Sequence, residues 1–299
     1  MNHARHPPDP YRGRFAPSPT GPLHLGSLIA ALASWLEARS AGGQWLLRME
    51  DIDPPREQPG AARDILRSLQ AHGLYWDEDV LWQSRRGEAY DAALDRLHAS
   101  GALFACRCSR RQQGPGGSCG STCRGRSVAA TGQPFALRVK VPPDYSCRWR
   151  DPWQGEQYWP LGQQLTDFIV RRRDGLYAYQ LAVVVDDAAQ QVSHVVRGSD
   201  LLDSTPRQQL LQHLLGYPTP AYAHLPVITD SRGHKFSKQS HAAPLQDTAA
   251  TLNLRRALAF LQQAQAPAAV DTVADLLDHA LAHWSPAAVP HAAAMTARD

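Results

Sequence analysis

From Leu25 the apolar residues fall at positions 25, 28, 29, 32, 35 and 36, the spacing of one face of a helix. Ahead of it, residues 12–16 form a short extended run that ends at Pro17-Ser18-Pro19-Thr20-Gly21-Pro22. That stretch holds too many turn formers to be helix interior. Gly42-Gly43 stops the helix, and Gln44 to Glu50 (QWLLRME) reads as a buried strand. Strand, helix and strand within about forty residues make a βαβ unit and imply a parallel sheet. Further helices are predicted over 61–73 and 87–100.

Residues 101–165 break this rhythm with clustered cysteines, a glycine-rich patch and one short strand near 136–141, which reads as an insertion with its own small fold. The α/β pattern resumes at Phe168-Ile169-Val170. Tyr179 to Val185 is helix or strand by pattern alone. A strand is predicted over 192–196, a helix over 206–215 closed by Gly216, and a strand-like run at 225–228 leading to a turn at 230–233. The Ala-rich remainder predicts two helices, 248–264 and 270–283. The expected fold is α/β with a Rossmann-like parallel sheet. Its organisation is a first half of the α/β domain (11–100), an insertion (101–165), a second half (166–245) and a C-terminal helical segment (246–299).

Composition narrows the class. The 299 residues are 43% hydrophobic and 20% charged, which excludes disordered and collagen-like chains. No apolar core or cleavage pattern marks the N-terminus as a secretory signal. The longest mostly apolar stretch, 25–36, is too short to span a bilayer, so no membrane role and a cytoplasmic location are expected. Thirty-one basic residues against 28 acidic ones give +3, so whole-chain charge does not announce a nucleic-acid partner. The basic residues are lopsided, however: three lysines (Lys140, Lys235, Lys238) against 28 arginines. Nothing in the pattern fixes an oligomeric state.

Two motifs suit nucleotide chemistry. His24, Gly26 and Ser27 stand at the mouth of the first predicted helix, where unpaired amides and the dipole favour anions. Gly26 lets a flat ligand approach the backbone and His24 can donate to a phosphate oxygen; the same histidine also suits a helix cap. About 210 residues later comes Lys235-Phe236-Ser237-Lys238-Gln239. Its two ammonium groups can reach a triphosphate and neutralise charge moving onto a leaving pyrophosphate. A compact ammonium differs from a guanidinium fork around phosphates, which gives the lysine pair meaning in an arginine-rich chain.

In this order the two motifs resemble the HIGH and KMSKS elements of class I aminoacyl-tRNA synthetases, with Ser27 and Phe236 as departures. Arg14-Phe-Ala-Pro-Ser18-Pro-Thr-Gly21, Arg48-Met-Glu50-Asp-Ile-Asp53 and Val195-Val-Arg197-Gly-Ser-Asp200 resemble the glutamyl-tRNA synthetase group. The resemblance implies ATP, with Mg²⁺, around His24, Gly26, Ser27, Lys235, Ser237 and Lys238. It implies glutamate among Arg14, Ala16, Ser18, Glu50, Tyr179 and Arg197, with arginines on the carboxylates and Glu50 on the ammonium. A basic site with one acid suits a substrate with two carboxylates and one ammonium. Arg48 and Arg197 could equally serve surface salt bridges.

Only 60 residues follow Gln239, and the last 59 hold three arginines, five aspartates and no lysine. That segment is too small and acidic to read an anticodon through phosphate contacts. The architecture resembles the short glutamyl-queuosine tRNA(Asp) synthetases, which place glutamate on the queuosine base in the anticodon of tRNA(Asp). The alternative is a truncated glutamyl-tRNA synthetase charging the 3′ end of tRNA(Glu). Cys106, Cys108, Cys119 and Cys123 offer two thiolate pairs for one tetrahedral, structural Zn²⁺, while Cys147 reads as a free buried thiol.

Overall fold

A computed structural model describes residues 10–114, 119, 121–125, 134–160, 166–229 and 243–296. Strand β1 (Arg12–Phe15) leads through a Pro/Gly loop into helix α1 (Leu25–Ser40), which returns to β2 (Gln44–Met49). β1, β2 and the edge strand β3 (Asp77–Trp82) form a parallel sheet. Gly43 makes the return possible: a Cβ there would lie 2.3 Å from the Tyr11 carbonyl oxygen. On the other side of β1, Ser193 N donates to Arg12 O at 3.0 Å. This brings in a second parallel pair, β9 (His194–Gly198) and β10 (Ala221–Leu225).

Alternation along β2 decides what each face carries. Trp45, Leu47 and Met49 enter a core built around Leu28, Leu32 and Leu36 of α1, while Arg48 points to the opposite face. Each fully buried leucine contributes about 1.5–3 kcal/mol. The same core contains α7 (Ala250–Phe260) and α8 (Val273–Ala282), through Leu254, Leu258, Leu276 and Leu277. The C-terminal segment is therefore part of the core that packs against the parallel sheet. It also supplies β12 (Ala294–Thr296), paired in parallel with β11 (Val227–Thr229).

Helices α2 (Ala61–Ala71) and α3 (Gly87–Ala99) flank β3. α3, α5 (Tyr179–Ala189) and α6 (Thr205–Leu215) share a second core with an antiparallel sheet, β4 (Leu103–Cys106), β5 (Ala136–Val139) and β8 (Phe168–Arg171). β8 follows residue 165 in sequence yet pairs with β5, so this sheet joins the segment 101–165 to what comes after it. The four-residue helix α4 (Ser121–Arg124) lies between β4 and β5 in sequence. A hairpin of β6 (Ser146–Asp151) and β7 (Gly155–Pro160) follows β5. The ambiguous run at 179–185 is helix α5, buried on every side from Leu181 to Asp187. Lys235, Ser237 and Lys238 lie outside the described residues.

Candidate active site

A cleft of about 760 Å³ opens where the chain leaves the C-terminal ends of β1, β2, β9 and β10 and enters α1. Ligands of open parallel sheets bind at this end, because the crevice and helix N-termini converge there. His24 is the N-cap of α1, its Nδ1 accepting from Ser27 N at 3.2 Å. That bond fixes the proton on Nε2, which lies 3.2 Å from Ser27 Oγ. Capping and donating are thus compatible in this ring. A Cβ on Gly26 would press to 3.0 Å on Ile228 and 3.2 Å on the His24 ring. Leu245 N donates to Leu23 O at 2.9 Å and Pro244 bridges His24. Ile228 also lines the cleft, so described residues on either side of 230–242 lie at the helix mouth.

On the face opposite α1, three charges from three elements meet. Arg14 of β1 and Arg48 of β2 converge on Asp187 of α5, Arg14 Nε at 3.2 Å and an Arg48 terminal nitrogen at 2.7 Å from Oδ1. Among the described residues this is the hydrogen bond Arg14 makes through its side chain, and Arg14 lines the cleft. Burial pushes the Asp187 carboxyl up, but the two guanidiniums outweigh it and hold it below the ordinary range. Glu50, just past β2, is positioned by its amide, which donates to Pro17 O at 3.0 Å. Its Oε1 is buried without a hydrogen bond, 3.7 Å from Arg48 Nε. Burial raises the Glu50 carboxyl to about 7 against the pull of Arg48 and Arg14. A buried carboxyl oxygen without a hydrogen bond is costly, and the Arg48 guanidinium nearby offsets that cost only in part.

Arg197 of β9 lies across the cleft, 5% exposed. Its partners are neutral: Gln208 Oε1 at 2.9 Å, Thr205 Oγ1 at 2.7 Å, His224 Nε2 at 3.1 Å and Tyr179 Oη at 3.5 Å. Among the described residues no carboxylate lies within ion-pair distance of it. Its charge is therefore not neutralised. Both Arg48 and Arg197 are buried, which overturns the surface salt-bridge reading for each. Ala16 and Ser18 line the same cleft on the loop after β1, as does Tyr179 at the start of α5.

The fold thus brings His24, Gly26, Ser27, Arg14, Ala16, Ser18, Glu50, Tyr179 and Arg197 to one cleft. Pattern reading missed Asp187, Gln208, Thr205 and His224. Asp186-Asp187 inside the apolar run 181–189 was the available signal, since adjacent acids in a buried helix demand partners.

Away from the cleft, Cys106 and Cys108 at the end of β4 face Cys119 and Cys123. The four sulfurs lie within 4.8 Å of one another, 3.0 Å between Cys106 and Cys119 and 3.4 Å between Cys108 and Cys123. A tetrahedral four-thiolate shell has sulfurs about 3.8 Å apart, so this set could hold a metal ion. Cys147 is free and buried. Adjacent arginines link cluster and cleft: Arg173 donates to the carbonyls of Arg107 and Cys108, and Arg172, which lines the cleft, pairs with Asp53 at 3.1 Å. Among the described residues no helix is long and apolar enough to cross a membrane.

A parallel sheet with a capped helix mouth and a basic cleft at its C-terminal edge defines a class I synthetase catalytic domain. Residues 11–113 and 118–256 match the family of class I tRNA synthetases (E and Q), catalytic domain. A glutamate-tRNA synthetase structure from Elizabethkingia anophelis superposes with a TM-score of 0.79 at 25% identity, covering 96% of this chain and 68% of that one. The glutamyl-Q tRNA(Asp) synthetase of Pseudomonas putida is 51% identical over 93% of this chain and 93% of its own length. That of Thiobacillus denitrificans is 53% identical over 93% and 94%. The chain belongs to the family of the glutamyl-Q tRNA(Asp) synthetases.

Proposed function

We propose that this protein activates glutamate with ATP, without needing tRNA, and transfers it to the queuosine base in the anticodon of tRNA(Asp). The observation that carries this is the charge plan of the cleft. Arg14 and Arg197 offer guanidiniums for two carboxylates, and Glu50 Oε1, which has no hydrogen bond, would accept one from the ammonium. Glutamate has that charge pattern, and guanidinium binds carboxylate in bidentate fashion.

ATP binds at the α1 mouth among His24, Gly26 and Ser27, accompanied by Mg²⁺, with Lys235, Ser237 and Lys238 serving its phosphates. The glutamate α-carboxylate attacks the α-phosphorus in line. The acyl–phosphate bond forms, the α–β phosphoanhydride breaks, and pyrophosphate leaves with its charge met by Lys238. No side-chain nucleophile takes part. A hydroxyl of the modified base then attacks the acyl carbon and AMP departs. We assign Zn²⁺ to the four cysteines, where a closed four-sulfur shell would supply folding energy to the segment between β4 and β5. The reaction is cytoplasmic, where its tRNA substrate resides.

Names of relatives at 50–53% identity favour this acceptor over the 3′ end of tRNA(Glu). The test is glutamate-dependent ATP–pyrophosphate exchange without tRNA, followed by acylation of tRNA(Asp) with and without queuosine. Exchange that appears only with tRNA(Glu) refutes it.

A further inference from the structure

We propose that Asp151 and His224 are positioning residues for Arg197: the Asp151 carboxylate fixes the His224 ring in one tautomer, and the ring's free lone pair orients the guanidinium without cancelling its charge. The inference rests on the reading of Arg197 as a carboxylate-binding residue.

Arg197 and His224 are register partners on β9 and β10. His224 is fully buried, its Nδ1 2.6 Å from Asp151 Oδ2 and its Nε2 3.1 Å from Arg197 Nε. Arg197 Nε–H can only donate, so His224 Nε2 must be the unprotonated nitrogen and Nδ1 must carry the proton. Asp151, also buried, accepts that proton's hydrogen bond and imposes the tautomer. Thr205 Oγ1 lies 3.2 Å from the same Nε2, and Gln208 Oε1 takes a terminal nitrogen. Each remaining contact is a neutral acceptor, so the guanidinium is aimed while its charge is spared.

The arrangement differs from that of the other cleft arginine. Arg14 is held by the carboxylate of Asp187, which opposes its charge. On Arg197, the carboxylate stands one ring away.

Asp151 is at the end of β6, where the hairpin tip meets the catalytic body. Its Oδ1 accepts from the amides of Trp153 (3.0 Å), Gln154 (3.0 Å) and His224 (3.3 Å). Gln154 Nε2 reaches His224 O at 2.9 Å. A hairpin lying within the residues assigned to the insertion thus ends behind a cleft arginine.

The charged and titratable groups around the ring are Asp151 from β6, Arg197 from β9, Asp200 from the turn after β9, and Tyr222, stacked 6.3 Å away. Burial lowers the His224 pKa, Asp151 and Asp200 oppose this, and Arg197 adds to it, leaving the ring below its ordinary value. A neutral ring is what the hydrogen bond to Arg197 requires.

The decisive variant is Asp151→Asn. All three partners of Oδ1 are donors, so the amide oxygen must occupy that position and the amide NH₂ must face His224 Nδ1. The ring is then driven into the other tautomer, with Nε2–H against Arg197 Nε–H. Nitrogen–proton correlation spectra of the ¹⁵N-histidine-labelled protein report this without activity. The expected result is Nδ1–H, Nε2-bare His224 from pH 6 to 8 in the wild type and the reverse in Asp151→Asn. A wild-type ring carrying its proton on Nε2 overturns the proposal.

In exchange assays, Asp151→Asn and His224→Leu should raise the glutamate KM by about tenfold or more while leaving the ATP KM within about twofold. His224→Gln, whose amide can serve both neighbours, should recover most of the loss. An unchanged glutamate KM in a folded Asp151→Asn protein also overturns the proposal. A wild type whose exchange ignores glutamate refutes the functional reading instead, and the spectra still decide the relay.

Discussion

Asp187 Oδ1 stands 3.2 Å from Arg14 Nε, a buried contact that holds an arginine lining the cleft. The same oxygen lies 2.7 Å from Arg48, so one buried carboxylate organises two buried cations from neighbouring strands. Removing the charge leaves the arginines facing each other unshielded. Asp187→Asn should cost about 3–5 kcal/mol of stability, the scale for breaking a buried ion pair from one side. Urea unfolding measures it. The Asp187 carboxyl is held below its ordinary value, so its contribution is present above about pH 4 and lost as pH falls through the folded-state value. The wild type should therefore lose stability on that acid limb more steeply than the variant, and parallel limbs would refute the assignment.

Glu50 gives a pH prediction of opposite sense. Its carboxyl is raised from 4.5 to about 7, so the free protein favours the protonated form between those values. Its contribution to stability is full below 4.5 and is lost as pH rises through about 7. A substrate ammonium reverses this by favouring the carboxylate. Glutamate binding below pH 7 must then release a proton. The glutamate KM should fall by about tenfold per pH unit on rising toward 7 and flatten above it. Titration calorimetry in buffers of different ionisation enthalpy counts the proton. Glu50→Gln should bind weakly with no such pH dependence; a wild-type KM flat from pH 5.5 to 8 would exclude this role.

How much of this was legible in the chain depended on whether a residue's pattern was local. The βαβ start and the capped mouth of α1 were readable because helix spacing and turn residues lie close in sequence. β3 was not, since it is an edge strand whose DEDVLW sequence lacks a buried face. The β6–β7 hairpin escaped for the same reason, its residues being mostly exposed or half-buried. α5 stayed ambiguous because seven consecutive buried residues erase periodicity. Arg14, Glu50 and Arg197 were legible only through their motif blocks. Asp187 and His224 lie 173 and 27 residues from the arginines they hold, a relation that only folding creates.

The lysine pair makes a third prediction, on activity alone. Lys238→Ala should abolish exchange while the thermal melt stays unchanged, because charge developing on pyrophosphate loses the ammonium proposed to stabilise it. Lys238→Arg tests whether charge suffices. A guanidinium is broader and more weakly hydrated, so recovery should be partial. Undiminished exchange in Lys238→Ala would remove the segment from the reaction.

Metal removal separates the cluster from the chemistry. One zinc per chain is expected by mass spectrometry of the purified protein, bound by Cys106, Cys108, Cys119 and Cys123. Cys123→Ser exchanges a thiolate for a poor ligand in a buried position, so zinc content should fall together with the melting temperature. Exchange should suffer less than the fold, because the cluster lies away from the cleft and is linked to it through Arg172 and Arg173. The route matters: Arg173 holds the Cys108 carbonyl while its neighbour Arg172 pairs with Asp53 at the rim. Arg173→Ala should then leave zinc in place and uncouple that rim, giving a modest rise in KM for ATP or glutamate without a change in metal content. A Cys123→Ser protein that keeps full zinc and an unshifted melt would show that the four sulfurs do not act as one site.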